Sequence, residues 1–355
     1  MTKKIKLGVI FGGKSEEHIV SIMSAKSILQ HVDKNKYDIY PLGISKEGNW
    51  VYLEHIYGAV NDNKIDDLDL ELLVQEANPE SSYKAIGMLM NKLDVVFPVL
   101  HGPYGEDGTL QGLFEMLDIP YVGANVPSSA VCMDKVFTKE ILKNVGINVT
   151  DSITLYKHAY NEDAETYIKK INTMFTYPVF VKPANLGSSV GITKVKDNTK
   201  LSDAISQAFK YDSKILIEQG VECREIECAV LGNTNPKASI VGEILPSHEF
   251  YDFEAKYFDD GNSKMVIPAP VSEELSEELR TLALKAYQTI GITGLSRIDF
   301  FVDKSNGKIY LNEINTLPGF TQFSMYPLLW AESGLAYTDL ISKLIGLAFE
   351  RKEDI

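Results

Sequence analysis

The sequence predicts an α/β protein of more than one domain, opening on a parallel sheet, and three observations carry that prediction. The first is size. A chain of 355 residues is longer than one hydrophobic core usually organises and suits two or three domains. The second is composition, with 45% hydrophobic and 24% charged residues. That is enough apolar material, evenly enough spread, to build packed cores throughout and to exclude a disordered chain. The third is order. From the N-terminus, strand-like apolar runs alternate with helical periodicity, the pattern of βα units whose parallel sheets hold ligands at the carboxyl ends of their strands.

Residues 5 to 11, Ile-Lys-Leu-Gly-Val-Ile-Phe, read as a buried strand ending in Gly12-Gly13. Ser15 is placed to cap a helix running to about His31, with Ile19, Ile22, Ala25 and Leu29 at core-facing spacing. Residues 38 to 44 and 93 to 100 supply a second and a third strand, with the acidic stretch 61 to 71 as an excursion between them. A second unit begins after Gly123-Ala124-Asn125. It has a helix at about 134 to 145 stopped by Gly146, a strand at 178 to 182 leading into the small-residue loop 183 to 189, and a strand at 214 to 218. A third region carries strand-like runs at 225 to 231, 238 to 244, 294 to 302 and 308 to 315. The segment 247 to 264 is polar, aromatic and without periodicity, and a loop of that length is commonly a lid or a binding loop. The expected units are 1–126, 127–220 and 221–355, and no internal repeat or low-complexity tract cuts across them.

Charge narrows the function. The 35 Lys and Arg residues against 49 Asp and Glu give a net charge of −14, the reverse of a polyanion binder, so no nucleic-acid partner is expected. Phosphate-binding lysines must then be concentrated in one site. Cys132, Cys223 and Cys228 form no CxxC and no zinc spacing, and are expected as small buried residues of a reducing compartment. The N-terminus enters strand-like sequence without a signal-peptide core, and no run of 18 apolar residues occurs. A cytoplasmic protein with no membrane association is expected.

Gly8-Val-Ile-Phe-Gly-Gly13-Lys14-Ser15 satisfies the P-loop pattern G-x-x-x-x-G-K-[ST]. A working P-loop uses its middle residues as a phosphate cradle, whereas Val9, Ile10 and Phe11 are the apolar end of a strand. The favoured reading is therefore strand, Gly-Gly turn and helix N-terminus. That end can attract an anion or, through Glu17, hold a cation; Glu17 serves equally as a helix-dipole partner.

The runs flanking 303 to 307 read as a hairpin turned by Gly307. Strand alternation puts Arg297 and Asp299 on one face, and likewise Glu313 and Asn315. A turn centred near Ser305-Asn306 sets residue 299 opposite about residue 312, so Asp299, Glu313 and Asn315 can converge. Two carboxylates and an amide oxygen suit a hard cation such as Mg²⁺. A solvated strand face with an Arg–Asp salt bridge accounts for the same residues. Three lysines stand at strand ends and loops. Lys182 precedes a loop whose Gly187, Ser188 and Ser189 could close over phosphate. Lys135 follows the helix start at Asp134, where the dipole disfavours a cation, and Lys256 lies in the aromatic loop. With a metal site, these lysines are the parts that position a nucleotide triphosphate. His101 sits in a loop after a strand, a ligand position in parallel sheets. HExxH does not occur, and no nucleophile elbow is read in the chain.

Seven motifs, in order, closely resemble the D-alanine–D-alanine ligase family of ATP-grasp enzymes. They are GGKSEEHIVS at 12–21, HGPYGEDGTLQG at 101–112, MDK at 133–135, VKPANLGSSVGI at 181–192, EFYDFEAKY at 249–257, SRID at 296–299 and NEINTLPGFTQFSMYP at 312–327. The resemblance implies a Rossmann-like N-terminal α/β domain that contributes to the first-substrate site. An ATP-grasp fold would follow, holding nucleotide between two sheets. The implied reaction is ATP-dependent joining of two D-alanines through a D-alanyl phosphate, for peptidoglycan precursors.

By resemblance, Lys135, Lys182 and Ser188 contact ATP, Lys256 covers the transferring phosphoryl group, and Glu218 and Glu225 hold the adenine and ribose ends. Asp299, Glu313 and Asn315 would bind two Mg²⁺ ions, with Mn²⁺ able to substitute. Glu17 is matched to the residue that holds the first substrate's ammonium, near His101, and groups with Ser188 and Tyr257 to close the loop. Arg297 and the Gly319 N–H would stabilise the oxyanion. Ser324, with Met325 beside it, would receive the second substrate. Tyr257 favours an amine as nucleophile, while Phe323, Met325 and Cys223 depart from the family's usual residues. A homodimer is the implied assembly.

Overall fold

The computed structural model describes residues 3–187, 190–245 and 264–353. Ser188, Lys256, Tyr257 and all but the last residue of the expected loop 247–264 lie outside the described residues.

The first sheet holds β1 (Ile5–Gly12), β2 (Tyr37–Ile44), β3 (Trp50–Tyr52) and β4 (Val95–Val99) in the order β3-β2-β1-β4. β1 runs parallel to both β2 and β4, and only the short edge strand β3 is antiparallel. The residues of β1 explain this placement. From Leu7 onward every position is buried, as a central strand covered on both faces requires. Leu7, Val9 and Phe11 pack with Ile22, Ala25, Ile28 and Leu29 of the helix His18–His31, while Ile10 packs with Leu89 and Phe114 on the other side.

That geometry removes the P-loop reading, because Gly8 to Gly12 are all paired in the sheet. Gly12 adopts φ +94°, and a Cβ there would lie 2.2 Å from the Ile44 carbonyl oxygen. The turn therefore tolerates only glycine. The helix begins at His18 with Glu17 as its N-cap, two residues later than the Ser15 cap read from the sequence. The Ser15 hydroxyl is engaged elsewhere: it donates to the His101 carbonyl at 2.6 Å and accepts from the Glu17 N–H at 3.2 Å.

The second sheet, in the order β5-β8-β6-β7, comprises β5 (Ser152–Tyr156), β6 (Val179–Pro183), β7 (Thr193–Val195) and β8 (Lys214–Gln219). The third, in the order β11-β10-β9-β12-β13, comprises β9 (Cys223–Leu231), β10 (Lys237–Leu245), β11 (Lys264–Val266), β12 (Leu295–Asp303) and β13 (Ile309–Asn315). Every pairing in these two sheets is antiparallel. The helix Glu273–Ile290 covers the third sheet with Leu279, Ala283, Ala286 and Tyr287.

The hairpin β12–β13 keeps the expected register near its turn, with Phe300 opposite Leu311. A β-bulge then shifts it, so Asp299 faces Glu313 and Arg297 faces Asn315. Ile309 and Leu311 are buried, Asn312 and Glu313 both turn outward half-buried, and Ile314 is buried again. The extra residue thus resets the alternation and aligns the two carboxylates, the kind of re-aiming that bulges provide beside functional sites. Cys132 and Cys228 are buried, Cys223 is half-buried, and all three are free thiols. Among the described residues no helix is long and apolar enough to cross a membrane.

Candidate active site

A cleft of about 600 Å³ opens between the second and third sheets. Lys182 enters it from β6, Glu218 from β8, Glu225 and Glu227 from β9, Asp299 from β12 and Glu313 from β13, with Lys135 and Gly187 at one end. Phe180 and Phe301 add aromatic surface. Lys135 is the first residue of the helix Lys135–Asn144, whose N-cap Asp134 accepts the N–H groups of Val136 and Phe137 and pairs with Lys214. That acid offsets the unfavourable position of the lysine at a positive helix end. The Lys135 ammonium donates to the Leu186 carbonyl, tying the helix to the loop after β6.

Glu218, expected to serve the adenine end, does not stand free. It is buried and ion-paired with both Lys182 and Lys139, and accepts from the Thr150 hydroxyl at 3.0 Å. Burial alone would raise its carboxyl, but the two lysines outweigh that and hold it well below the usual carboxylate range. Burial lowers the Lys139 ammonium, with Glu218 opposing.

A second cavity, about 260 Å³, lies where the first and third sheets approach, lined by Glu17, His101, Arg297, Gly319, Ser324 and Met325 among others. It shares Gly187, Glu227 and Glu313 with the nucleotide-sized cleft, so the two spaces meet at those residues. Glu17 is buried, its carboxylate packed so closely on Gly102 and Gly187 that a Cβ on either would lie 2.7 or 3.2 Å from Oε2. His101 is also buried, which lowers its imidazole below the ordinary value and keeps it neutral. Its Nδ1 donates to the Leu317 carbonyl at 2.9 Å. Ser324 stands at the N-cap position of the helix Met325–Glu332 without a side-chain capping bond, because its Oγ turns back to lie 2.9 Å from the Thr321 hydroxyl and accept the Thr321 N–H at 3.1 Å. Met325 is buried, whereas Phe323 is 70% exposed at the rim.

Arg297 binds Asp299 through two hydrogen bonds, of 2.8 and 2.7 Å, and Glu227 at 2.9 Å. Burial works against its charge, yet Asp299 and Glu227 raise the guanidinium well above its ordinary value. The salt bridge read from the strand pattern is therefore present, on the same face as the possible metal ligands. The Asn315 amide donates to Asp299 at 3.0 Å. Among the described residues no three His, Cys, Asp or Glu side chains are gathered to hold a metal. The set Asp299, Glu313 and Asn315 nonetheless offers only oxygen donors to a cation, two of them carboxylates in direct register, which fits Mg²⁺ chemistry.

Four residues here escaped sequence reasoning. Glu227 carried a signal, since it lies two positions from Glu225 on the same strand face. Lys139 lies one helical turn after Lys135. Thr150 carried none, because its partner Glu218 lies 68 positions away. Glu106, which also lines the second cavity, was legible only as part of the motif at 101–112, since its partner Leu317 lies 211 positions away.

An open cleft between two antiparallel sheets, with Lys182 and Glu218 on one wall and Glu225, Glu227, Asp299 and Glu313 on the other, behind a parallel α/β unit, defines an ATP-grasp enzyme. Residues 6–124 match the family described as D-ala D-ala ligase N-terminus, and residues 141–346 match D-ala D-ala ligase C-terminus. The chain belongs to the D-alanine–D-alanine ligase family. It is 53% identical over 354 residues to the D-alanine–D-alanine ligase of Thermoanaerobacter sp. (strain X514), covering 98% of this chain and 97% of that one. The corresponding ligase of Caldicellulosiruptor bescii is 50% identical over 98% of this chain and 96% of its own. Among solved structures, the D-alanine–D-alanine ligase from Coxiella burnetii superposes with a TM-score of 0.83 at 37% identity, covering 99% and 96% of the two chains. The D-Ala:D-Ser ligase from Enterococcus faecalis superposes with a TM-score of 0.82, also at 37% identity, covering 98% and 100%.

Proposed function

We propose that this chain joins two D-alanine molecules at the expense of ATP, releasing ADP and phosphate, to supply the dipeptide of peptidoglycan precursors. The observation that carries this reading is the junction of the two cavities at Gly187, Glu227 and Glu313. A nucleotide lying in the larger space would meet there a small amino acid lying in the other. The γ-phosphoryl group passes to the carboxylate of the first D-alanine. The amine of the second attacks that acyl phosphate, and phosphate leaves from the tetrahedral intermediate.

Each residue has a role in this sequence. Lys135, Lys182 and Ser188 hold the phosphates, and Lys256 serves the transferring phosphoryl group. Glu218 and Glu225 serve the adenine and ribose ends, Glu218 partly by fixing Lys182. Glu17 receives the first ammonium beside His101 and acts with Ser188 and Tyr257 in closure, which keeps water from the acyl phosphate. Arg297 and the Gly319 N–H face the oxyanion. Ser324 takes the second carboxylate, with Met325 forming the pocket wall. Asp299, Glu313 and Asn315 would hold two Mg²⁺ ions, or Mn²⁺ in their place, which when bound offset the repulsion between phosphate and carboxylate. The working units are 1–126, 127–220 and 221–355, in a cytoplasmic homodimer.

The likeness to a D-Ala:D-Ser ligase makes the second substrate the point to test. Phosphate release from Mg·ATP is measured with D-alanine alone, then with D-alanine plus D-serine or D-lactate, and products are identified by mass. D-alanyl-D-alanine as the main product near neutral pH is expected. A mixed product would reassign the pocket around Phe323 and Met325, and no turnover with any D-amino acid would remove the ligase reading.

A further inference from the structure

One loop of the N-terminal unit grips Leu317 on both sides of its backbone. The Leu317 carbonyl accepts from His101, as described, and its N–H donates to Glu106 Oε1 at 3.0 Å. The other Glu106 oxygen accepts the Gly102 N–H at 2.6 Å, so this side chain both closes its own loop and ties it to the segment after β13. His101 Nε2 lies 3.3 Å from Ser24 Oγ, which accepts the Phe320 N–H at 3.3 Å. Pro318 and Gly319 are therefore held at both flanks, and Glu106 itself lines the substrate cavity.

A backbone N–H stabilises a developing charge only if the turn presenting it stays put. We propose that Glu106 is a positioning residue for ligation, its carboxyl group acting with His101 to fix the turn from Leu317 to Phe320 and aim the Gly319 N–H. This rests on the ligase reading above and adds to it a residue that touches neither substrate's reacting atoms. Burial first, and the neighbouring Glu17 second, push the Glu106 carboxyl up to about 8, against the two N–H donors that favour its anion. The hydrogen bonds thus hold a carboxyl group where its surroundings disfavour charge.

The test compares the full-length protein with Glu106→Ala and Glu106→Gln in steady-state ligation, with KM for ATP and the melting temperature recorded beside kcat. A misplaced donor costs about 100-fold. Glu106→Ala is expected to lose about that much in kcat with KM for ATP within about twofold of the parent. Glu106→Gln keeps the side chain's volume and one acceptor oxygen, and is expected to regain about tenfold of the loss. If the alanine variant does not fold, a fall of about tenfold in kcat for the glutamine variant at unchanged KM for ATP carries the proposal alone. Turnover within about threefold of the parent in both variants would overturn it. So would a loss in kcat matched by an equal rise in KM for ATP and a lowered melting temperature, which marks general loosening. A parent protein that makes no dipeptide would remove the ligase reading, and this proposal with it.

Discussion

At the scale of single residues, charge is placed where neighbours of opposite sign hold it. Arg297, between Asp299 and Glu227, stays cationic despite its burial, as the proposed oxyanion role requires. Replacing it with alanine is expected to cost about 3–4 kcal/mol of transition-state stabilisation, roughly 10²–10³ in kcat, read directly from initial rates. Lys14 provides the contrast. Its ammonium rests 5.1 Å from the centre of the Tyr104 ring, so Lys14→Ala should leave turnover nearly unchanged, whereas a P-loop lysine would abolish it. Charged residues set in apolar runs, such as Lys182 and Asp299, were legible in the sequence because their strands are. The acceptor role of Glu106 was not, although the residue sits in the motif at 101–112, since it depends on Leu317, 211 positions away.

Among elements, the helix Lys135–Asn144 is fixed to strands β6 and β8 by the cluster of Lys139, Glu218 and Lys182. Removing the one carboxylate leaves two lysines without their shared countercharge, and breaking a buried pair this way costs about 3–5 kcal/mol. Glu218→Gln should therefore lower stability in urea by an amount of that order. The pH dependence has a definite sign. The folded carboxyl group sits below its usual value of 4.5, so its contribution is fully present above that value and is lost as pH falls toward the folded one. Unfolding curves from pH 7 down to pH 3 should show the parent's advantage over the variant shrinking only on the acid side. Sequence periodicity located most strands within a residue or two, because an apolar run long enough for a buried strand has few other uses. It missed the bulge at Asn312, whose cause is pairing across the hairpin rather than any local signal, and placed the first helix too early because Ser15 is claimed by the His101 loop.

Across the whole molecule, the first and third units share one core. Phe11 and Val99 of the parallel sheet belong to the same apolar cluster as Phe320, Tyr326, Leu329, Leu340 and Leu344. Arg351, near the end of the chain, seals the far side of this junction. It donates to the carbonyls of Gly123 and Tyr121 at 2.5 and 2.8 Å and to the Thr293 hydroxyl at 3.0 Å, and stacks 3.9 Å above the Tyr121 ring. Arg351→Met leaves two buried carbonyls unsatisfied, at about 1–3 kcal/mol each, and is expected to lower the melting temperature measured by calorimetry by several degrees. The order of most strands could be read in advance, but not this seam, whose partners lie far apart in the chain. The backbone around Phe320 and Gln322 is stitched to Ser24 and Ser27 of the first helix. Recombination between relatives therefore faces a constraint that the boundaries along the chain do not reveal. A hybrid that exchanged only the first unit would inherit its nucleotide cleft intact and its second cavity from two parents, so a crossover that works must carry residues 12–31, 101–106 and 317–324 as one inheritance.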